Sequence, residues 1–502
     1  MNNSYWVDAS NNTNYPRLEK DMEVDVCVVG AGIVGVATTY FLSQKSNLKI
    51  AIIDKDKVCM GVTSNTTGKI TSQHGIFYQY LINEFGIDFA KKYLVSNQEA
   101  IEDIVNIVEK EKIDCNLERQ DAFIFATSNE ELEKVKKEAE VVNELGFDAE
   151  FVEQIEVPIN NVKGGIKFSN QAQFNARKYV LSLLNILEKR NVKIFENSKV
   201  EKINKKLDYE IISNNHKIKA KYVVLATHYP ILNVPGFHFI KMYQDKSYII
   251  GVETEQKLFN GIYINSNSPI ISFRTAEYKE NKRLLLVAGS EHKTGSNNIK
   301  LENNFNNLEN YIKGIYKDVN IKYKWTTEDC ITLDKVPYIG EFSNFMKNIY
   351  IATGFKKWGM TTSHVAAKII SDKILGIENK YAEIYKATRL NPIKNKKELY
   401  NNLKQTTYSL IINRFKKSKT EFNEIKNGDG GIIKYNGKKI GIYKDEDGKV
   451  YSIKPYCKHL GCELTWNNLE KTWDCPCHGS RYTYDGKIIT EPTMKELDKE
   501  EI

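Results

Sequence analysis

Two short stretches near the C-terminus constrain this chain more than any other feature. They read Cys457-Lys458-His459-Leu460-Gly461-Cys462 and Cys475-Pro476-Cys477-His478-Gly479-Ser480. Each offers a thiolate and an imidazole two or three residues apart, on loops rich in Gly and Pro. Two kinds of centre use two Cys with two His. One is a tetrahedral zinc ion. The other is a [2Fe–2S] cluster with both Cys on one iron and both His on the second. Zinc gives no reason for the additional Cys in each loop or for the Cys-Pro-Cys-His-Gly-Ser run. The expected ligands of an iron–sulfur cluster are therefore Cys457, His459, Cys475 and His478. Such a centre moves single electrons and implies a redox partner.

About the last 80 residues resemble Rieske domains, on those two motifs. The resemblance implies a disulfide between Cys462 and Cys477 that joins the cluster loops. It also implies that Ser480 and Tyr482, in the run Gly-Ser-Arg-Tyr, donate hydrogen bonds to cluster sulfur. Donated hydrogen bonds favour the more negative reduced state, so the expected potential lies toward the positive end of the Rieske range. From Glu421 onward, short strand-like stretches alternate with turns such as Gly428-Asp429-Gly430-Gly431 and Asp447-Gly448, as a small antiparallel domain requires.

The other end of the chain supplies a second redox signature. Residues 24–29 read as a buried strand, followed at once by Gly30-Ala31-Gly32-Ile33-Val34-Gly35 and an apolar helical run. A second apolar strand, Leu48 to Ile53, ends in Asp54, 24 residues after Gly30. This is the dinucleotide fingerprint in its proper context. Gly30 makes the tight turn, Gly32 lets the backbone approach the pyrophosphate, and Gly35 allows close helix–strand packing. The helix start offers N–H groups to phosphate, and Asp54 accepts the ribose hydroxyls.

Later segments favour FAD over NAD. Gly61-Val62-Thr63-Ser64-Asn65-Thr66-Thr67-Gly68-Lys69 resembles the loop that places the flavin ring in the D-amino-acid oxidase and glycine/sarcosine oxidase superfamily. Val223 to Thr227 resembles its second nucleotide-contact strand, and Trp325 to Gly340 its Asp-x-x-Pro-x-Ile-Gly segment. Thr353-Gly354-Phe355-Lys356-Lys357-Trp358-Gly359-Met360-Thr361-Thr362, leading into an Ala-rich helix, resembles its last FAD element at the flavin pyrimidine edge. An NAD enzyme has no need of this second glycine site, about 320 residues downstream. The cofactor contacts so implied are Gly30, Gly32, Ile33, Val34, Gly35, Asp54, Lys55, Thr63, Ser64, Thr67, Gly68, Val200, Ala226, Thr227, Gly340, Gly354, Phe355, Trp358, Gly359, Met360 and Thr361. Across nearly the whole chain the pattern is similar to the bacterial YhfW-type group of FAD/Rieske oxidoreductases. That group implies architecture and cofactors, FAD and a Rieske [2Fe–2S] cluster, but no substrate.

The fold expected is α/β plus β: a discontinuous Rossmann-like FAD domain, an α+β substrate domain, then a small antiparallel β Rieske domain. The FAD domain is expected over 20–75, 150–235 and 325–380, and the substrate domain over 76–149 and 236–324. A helical linker over 381–420 leads to the Rieske domain at 421–502. Helical periodicity marks 89–111 and 130–145, and alternation marks strands around 247–253, 262–274 and 283–290. Within 394–420, Leu399, Leu403, Leu410, Ile411 and Phe415 recur at helical spacing beside Lys416, Lys417 and Lys419. The plain reading is a linker helix packed on the flavin domain, and the alternative is one lying on an anionic membrane.

Composition excludes little else. The net charge of +8 is a mild excess in 502 residues, with no basic patch interleaved with aromatics, so nucleic acid is not an expected partner. No apolar run reaches a membrane span, and the polar first residues carry no signal-peptide core. A cytoplasmic protein is expected, with peripheral membrane contact through the basic connector as the variant.

The substrate is expected to be a small amine or amino acid, dehydrogenated at the carbon next to nitrogen. Arg274 is the candidate carboxylate clamp, with a salt-bridged surface arginine as the alternative. His74 is a candidate base or polar lining, and Lys357 a candidate for stabilising charge at the flavin. Tyr248 reads as core, as do Cys27, Cys59, Cys115 and Cys330. A Rieske-fed mononuclear-iron oxygenase is disfavoured because His74, His216, His228, His238, His292 and His364 contain no close pair. The expected flow is substrate to FAD to cluster to an external acceptor, a protein or a quinone. The rival reading is a non-catalytic redox sensor or electron-carrier module.

Overall fold

The computed structural model describes residues 4–157, 159–280, 282–296, 301–389 and 421–501, with Tyr400 and Leu410. The expected linker helix over 394–420 lies, Leu410 and Tyr400 aside, outside the described residues.

The fingerprint strand Met22–Val29 sits inside an eight-stranded sheet, parallel to Ile50–Ile53 on one side and His216–Leu225 on the other. Its Val26, Cys27 and Val28 are fully buried, as expected of a strand covered on both faces. The helices Ile33–Lys45, Ala176–Lys189 and Gly359–Leu375 pack over one face. Gly354, at φ +77°, turns the chain into the last helix; a Cβ there would sit 2.4 Å from the Thr332 side chain.

A second, nine-stranded sheet carries the long strands Met242–Glu253, Lys282–Lys293 and Asn320–Thr332. The helices expected over 89–111 and 130–145 form as Ile87–Glu111 and Asn129–Glu144. The stretch 262–274 divides into two antiparallel strands, Ile262–Asn265 and Ile271–Lys279. The turn between them holds Pro269, which has no N–H for a ladder.

Ala149–Val152, Gly164–Gln173 and Asn320–Thr332 all pair within the second sheet. Pairing with strands far away in sequence assigns these segments, and local alternation carries no record of the partner.

The C-terminal domain is two small antiparallel sheets. One is Gly430–Tyr435, Lys438–Lys444 and Val450–Ile453; the other runs from Thr465–Asn467 to Ile488–Thr490. Trp473 and Tyr482 are fully buried at its centre.

Candidate functional site

The nucleotide cradle follows from the fingerprint. Gly30 has φ +106°, and a Cβ on it would lie 2.4 Å from the Ala226 carbonyl oxygen. A Cβ on Gly35 would lie 2.0 Å from the Gly30 oxygen. Only glycine permits either approach. The Ala31 N–H donates to Asp54 at 2.7 Å and the Ile33 N–H to the Thr63 hydroxyl at 3.1 Å. Burial pushes the Asp54 carboxyl up to about 6, against the N–H groups of Ala31 and Asp56.

These residues open onto a cavity of about 520 Å³. Gly30, Gly32, Ile33, Val34, Asp54, Lys55 and Thr63 line it from the N-terminal side. Val200, Ala226, Thr227, Phe355, Gly359 and Met360 line it from later segments. Gly35, Ser64, Thr67, Gly68, Gly340, Gly354, Trp358 and Thr361 do not. Of these, Gly35, Gly68 and Gly354 shape the backbone: Gly68, at φ +70°, would place a Cβ 2.4 Å from the Phe174 oxygen. The cavity's shape and chemistry fit FAD. The His228 Nε2 and Thr327 Oγ1 are buried without partners in its wall.

The three catalytic candidates are each held by partners within the protein. Arg274 is 2 % exposed, and its guanidinium donates to the carbonyls of Gly68, Phe174 and Thr275 while lying over Trp6. It holds the loop. His74 stacks on Trp358 at 4.7 Å, bonds Tyr93 Oη through Nδ1 and meets the Thr71 carbonyl through Nε2. Burial, then the Lys356 ammonium, presses its pKa down to about 3, so the imidazole is neutral. Thr361 joins the same group, donating to the Thr71 carbonyl at 3.3 Å. Lys357 pairs with Glu291, and with Asp245 at 3.4 Å.

Two lysines that motif reading passed over stand closer to this group. Lys69 donates to the Ser272 hydroxyl at 2.6 Å, and Lys356 lies 3.8 Å over the Phe77 ring. Burial lowers both to about 7, helped by the Arg274 cation for Lys69 and by Lys335 and Lys357 for Lys356. The position of Lys69, directly after Gly68, was the available signal.

At the other centre, Cys462 and Cys477 form the disulfide. The Gly461 N–H returns to the Cys457 carbonyl at 2.8 Å and the Gly479 N–H to that of Cys475 at 3.0 Å, so both loops are tight turns of one kind. A hydrogen bond from the Cys475 thiol draws the Cys457 pKa down, against burial. The Tyr482 hydroxyl stands 3.4 Å from the Cys457 sulfur, and the Ser480 hydroxyl helps hold that thiol's pKa down. The His459 and His478 rings are 5.0 Å apart. Both ring nitrogens of His459 and Nδ1 of His478 are buried without partners, and burial keeps both rings neutral, at about 4 and about 3. Two adjacent sulfurs with two orphaned neutral imidazoles fit a [2Fe–2S] cluster.

The two sites share a wall. Glu470, Arg481, Ile489, Thr490, Glu491 and Met494 of the C-terminal domain line the nucleotide cavity. Lys55, beside Asp54, bonds Glu491 at 2.9 Å. Below it, Arg481 meets Glu328 at 2.7 Å, Glu470 at 2.9 Å and Asp474 at 3.0 Å. Lys246, with no exposed side chain, meets Glu328 at 3.3 Å and also Glu470. Phe239 packs its ring against both His459 and His478, at 4.9 and 5.4 Å. The pairings across this junction carry no motif in sequence.

Comparison with known proteins agrees with both sites. Residues 25–373 match the FAD dependent oxidoreductase family and residues 418–500 the Rieske [2Fe-2S] domain. The chain is 33% identical over 497 residues to the Rieske 2Fe-2S iron-sulfur protein YhfW of Bacillus subtilis (strain 168), covering 98% of this chain and 96% of that one. Its fold is similar to glycine oxidase from Geobacillus kaustophilus, with TM-score 0.61, 17% identity and coverage of 73% of this chain and 99% of that one. It is also similar to L-amino acid deaminase from Proteus vulgaris, with TM-score 0.61, 16% identity and coverage of 76% and 100%. With the nucleotide cradle, the paired Cys and His loops and these matches in hand, the chain belongs to the FAD dependent oxidoreductases that carry a C-terminal Rieske [2Fe-2S] domain.

Proposed function

We propose that the protein is an amine or amino-acid dehydrogenase whose electrons leave through its own cluster. When bound, FAD supplies hydride acceptance from a carbon next to nitrogen, and the cluster supplies one-electron relay to an external protein or quinone. The observation that carries this reading is the shared wall: cluster-domain residues close the nucleotide cavity, and Gln244 spans from the cavity residue Glu491 to the cluster ligand His478.

The chain's own residues have assignable parts. The fingerprint glycines and Asp54 hold the nucleotide. Arg274 fixes the loop Thr63 to Gly68 by its bonds to main-chain oxygens. The neutral His74, stacked on Trp358, forms an aromatic and polar cluster with Tyr93 and Thr361. Arg274, whose guanidinium is engaged by main-chain oxygens, is not free to clamp a substrate carboxylate. No helix among the described residues is long and apolar enough to cross a membrane, so a quinone acceptor would be met at a surface.

Anaerobic addition of amines, N-methyl amino acids and α-amino acids tests the reading. The expected result is bleaching of flavin absorbance followed by a Rieske EPR signal. A panel that leaves the flavin oxidised while dithionite reduces both centres overturns it.

A further inference from the structure

The flavin loop is held from outside by residues that precede the fingerprint. The short helix Tyr5–Asp8 packs Tyr5 and Trp6 against Ile249, Leu284, Leu286 and Trp325 of the second sheet, leaving Trp6 2 % exposed. The Trp6 indole N–H donates to the Thr66 carbonyl at 2.6 Å, and the Ser4 hydroxyl donates to the Ser64 carbonyl. Two donors from elsewhere complete the set. The Trp325 indole N–H meets the Asn65 carbonyl at 3.0 Å, and the Arg274 guanidinium meets that of Gly68 at 2.7 Å. Four carbonyls of one short loop are thus each taken by a side chain distant in sequence. The Arg274 guanidinium also lies over the Trp6 ring, 5.3 Å from its centroid, so two of the donors brace each other.

The segment continues past the loop. The buried Arg177 ties it to the backbone just before the loop: Nε donates to the Ser10 hydroxyl at 2.8 Å, and the two terminal nitrogens donate to the Asn11 carbonyl at 3.2 Å and the Cys59 carbonyl at 3.0 Å. Further on, the Leu18 N–H donates to the Ser198 hydroxyl at 2.9 Å, while the Ser198 N–H donates to the main-chain carbonyl of Asp54 at 2.8 Å. Residues 4–18 therefore reach from the flavin loop to the end of the strand that presents Asp54. Ser4 and Val7 line the nucleotide cavity directly.

We infer that residues 4–18 form a strap that holds the flavin loop in its cofactor-binding shape, with Ser4 and Trp6 as positioning residues for FAD. The physical reason is hydrogen-bond satisfaction. A loop of Gly, Ser, Thr and Asn has many backbone conformations open to it, and a buried carbonyl left without a donor is costly. With its four donors in place, the loop has one favourable shape. In that shape the Thr63 hydroxyl accepts from the Ile33 N–H at the start of the fingerprint helix. Without the strap's donors, part of the population cannot bind the cofactor, and the apparent affinity falls by the competent fraction. The inference rests on FAD as the cofactor and is independent of the substrate and of the path of the electrons.

Titration of the full-length apoprotein with FAD, followed by flavin fluorescence, tests it. Trp6→Phe keeps an aromatic ring and removes the N–H. It is expected to raise the FAD dissociation constant about tenfold, the weight of one buried hydrogen bond, and Ser4→Ala is expected to act in the same direction. The Rieske EPR signal is expected at full intensity in both variants, which separates a loosened loop from an unfolded chain. Tyr5→Phe is the control. Its hydroxyl belongs to the same helix but donates to the Glu277 carbonyl of the second sheet, so FAD affinity is expected to be unchanged. Unchanged affinity in both Trp6→Phe and Ser4→Ala, or an equal loss in Tyr5→Phe, overturns the inference. If Trp6→Phe lacks the cluster signal, Ser4→Ala decides. An unmutated protein that binds no FAD overturns the cofactor assignment instead.

Discussion

Gln244 donates through Nε2 to the main-chain carbonyl of His478 at 3.2 Å and, from the same nitrogen, to that of Glu491 at 2.9 Å. One side chain from the second sheet thus ties a cluster ligand to the wall of the nucleotide cavity. Gln244→Leu leaves two buried carbonyls unpaired at roughly 1–3 kcal/mol each. The expected outcome is a lower melting temperature and faster proteolysis near the 421 boundary, with FAD retained. Calorimetry and limited digestion check it.

Arg481 binds Glu328, Glu470 and Asp474 in a site where Lys246 is the other cation. Arg481→Met leaves three buried carboxylates against one ammonium, a loss on the order of 3–5 kcal/mol. Against burial, Arg481 and then Lys246 hold the Asp474 carboxyl below its ordinary range. Its folded pKa is depressed, so its stabilisation is present above the unfolded value and is lost as pH falls below it. Acid unfolding of Arg481→Met is expected at higher pH than in the unmutated protein, followed by tryptophan fluorescence.

Asp54 has the opposite sign. Burial raises its carboxyl to about 6, while ribose hydroxyls require the ionised acceptor. FAD affinity is therefore expected to be constant above about pH 7 and to fall, by up to about tenfold per pH unit, below 6. Asp54→Asn flattens this dependence and lowers affinity throughout. Fluorescence titration of the apoprotein with FAD measures both.

Gly30→Ala places a methyl group 2.4 Å from the Ala226 oxygen at a φ of +106°. Strain of about 1–3 kcal/mol and a displaced turn are expected to leave the purified protein without flavin absorbance, while the cluster EPR signal survives.

His459→Ala removes an imidazole neither of whose ring nitrogens has a partner. The expected protein binds FAD and lacks the Rieske spectrum. A retained Rieske signal would transfer the ligand role to another side chain.

The two chemistries of this chain were legible because each is written in contiguous residues. Gly30 to Gly35 with Asp54, and the loops at Cys457 and Cys475, need only neighbours in sequence to make a turn, a helix start or a ligand pair. The Cys462–Cys477 disulfide came from likeness to Rieske loops, and the structure forms it. Arg274 shows the limit of such reading. An arginine after a strand can face a ligand or the main chain, and the bonds to Gly68 and Phe174 arise from packing alone.

What sequence determined by itself was the pair of redox centres, since local spacing fixes which backbone groups and side chains converge on each. Tertiary structure alone decided how the centres meet. Phe239, Gln244, Lys246 and Glu328 reach the cluster domain from strands and turns some 140 to 250 residues away. Their roles depend on a docking geometry fixed by buried charge pairing and close backbone contact. Those forces act between surfaces, and no periodicity along the chain records them.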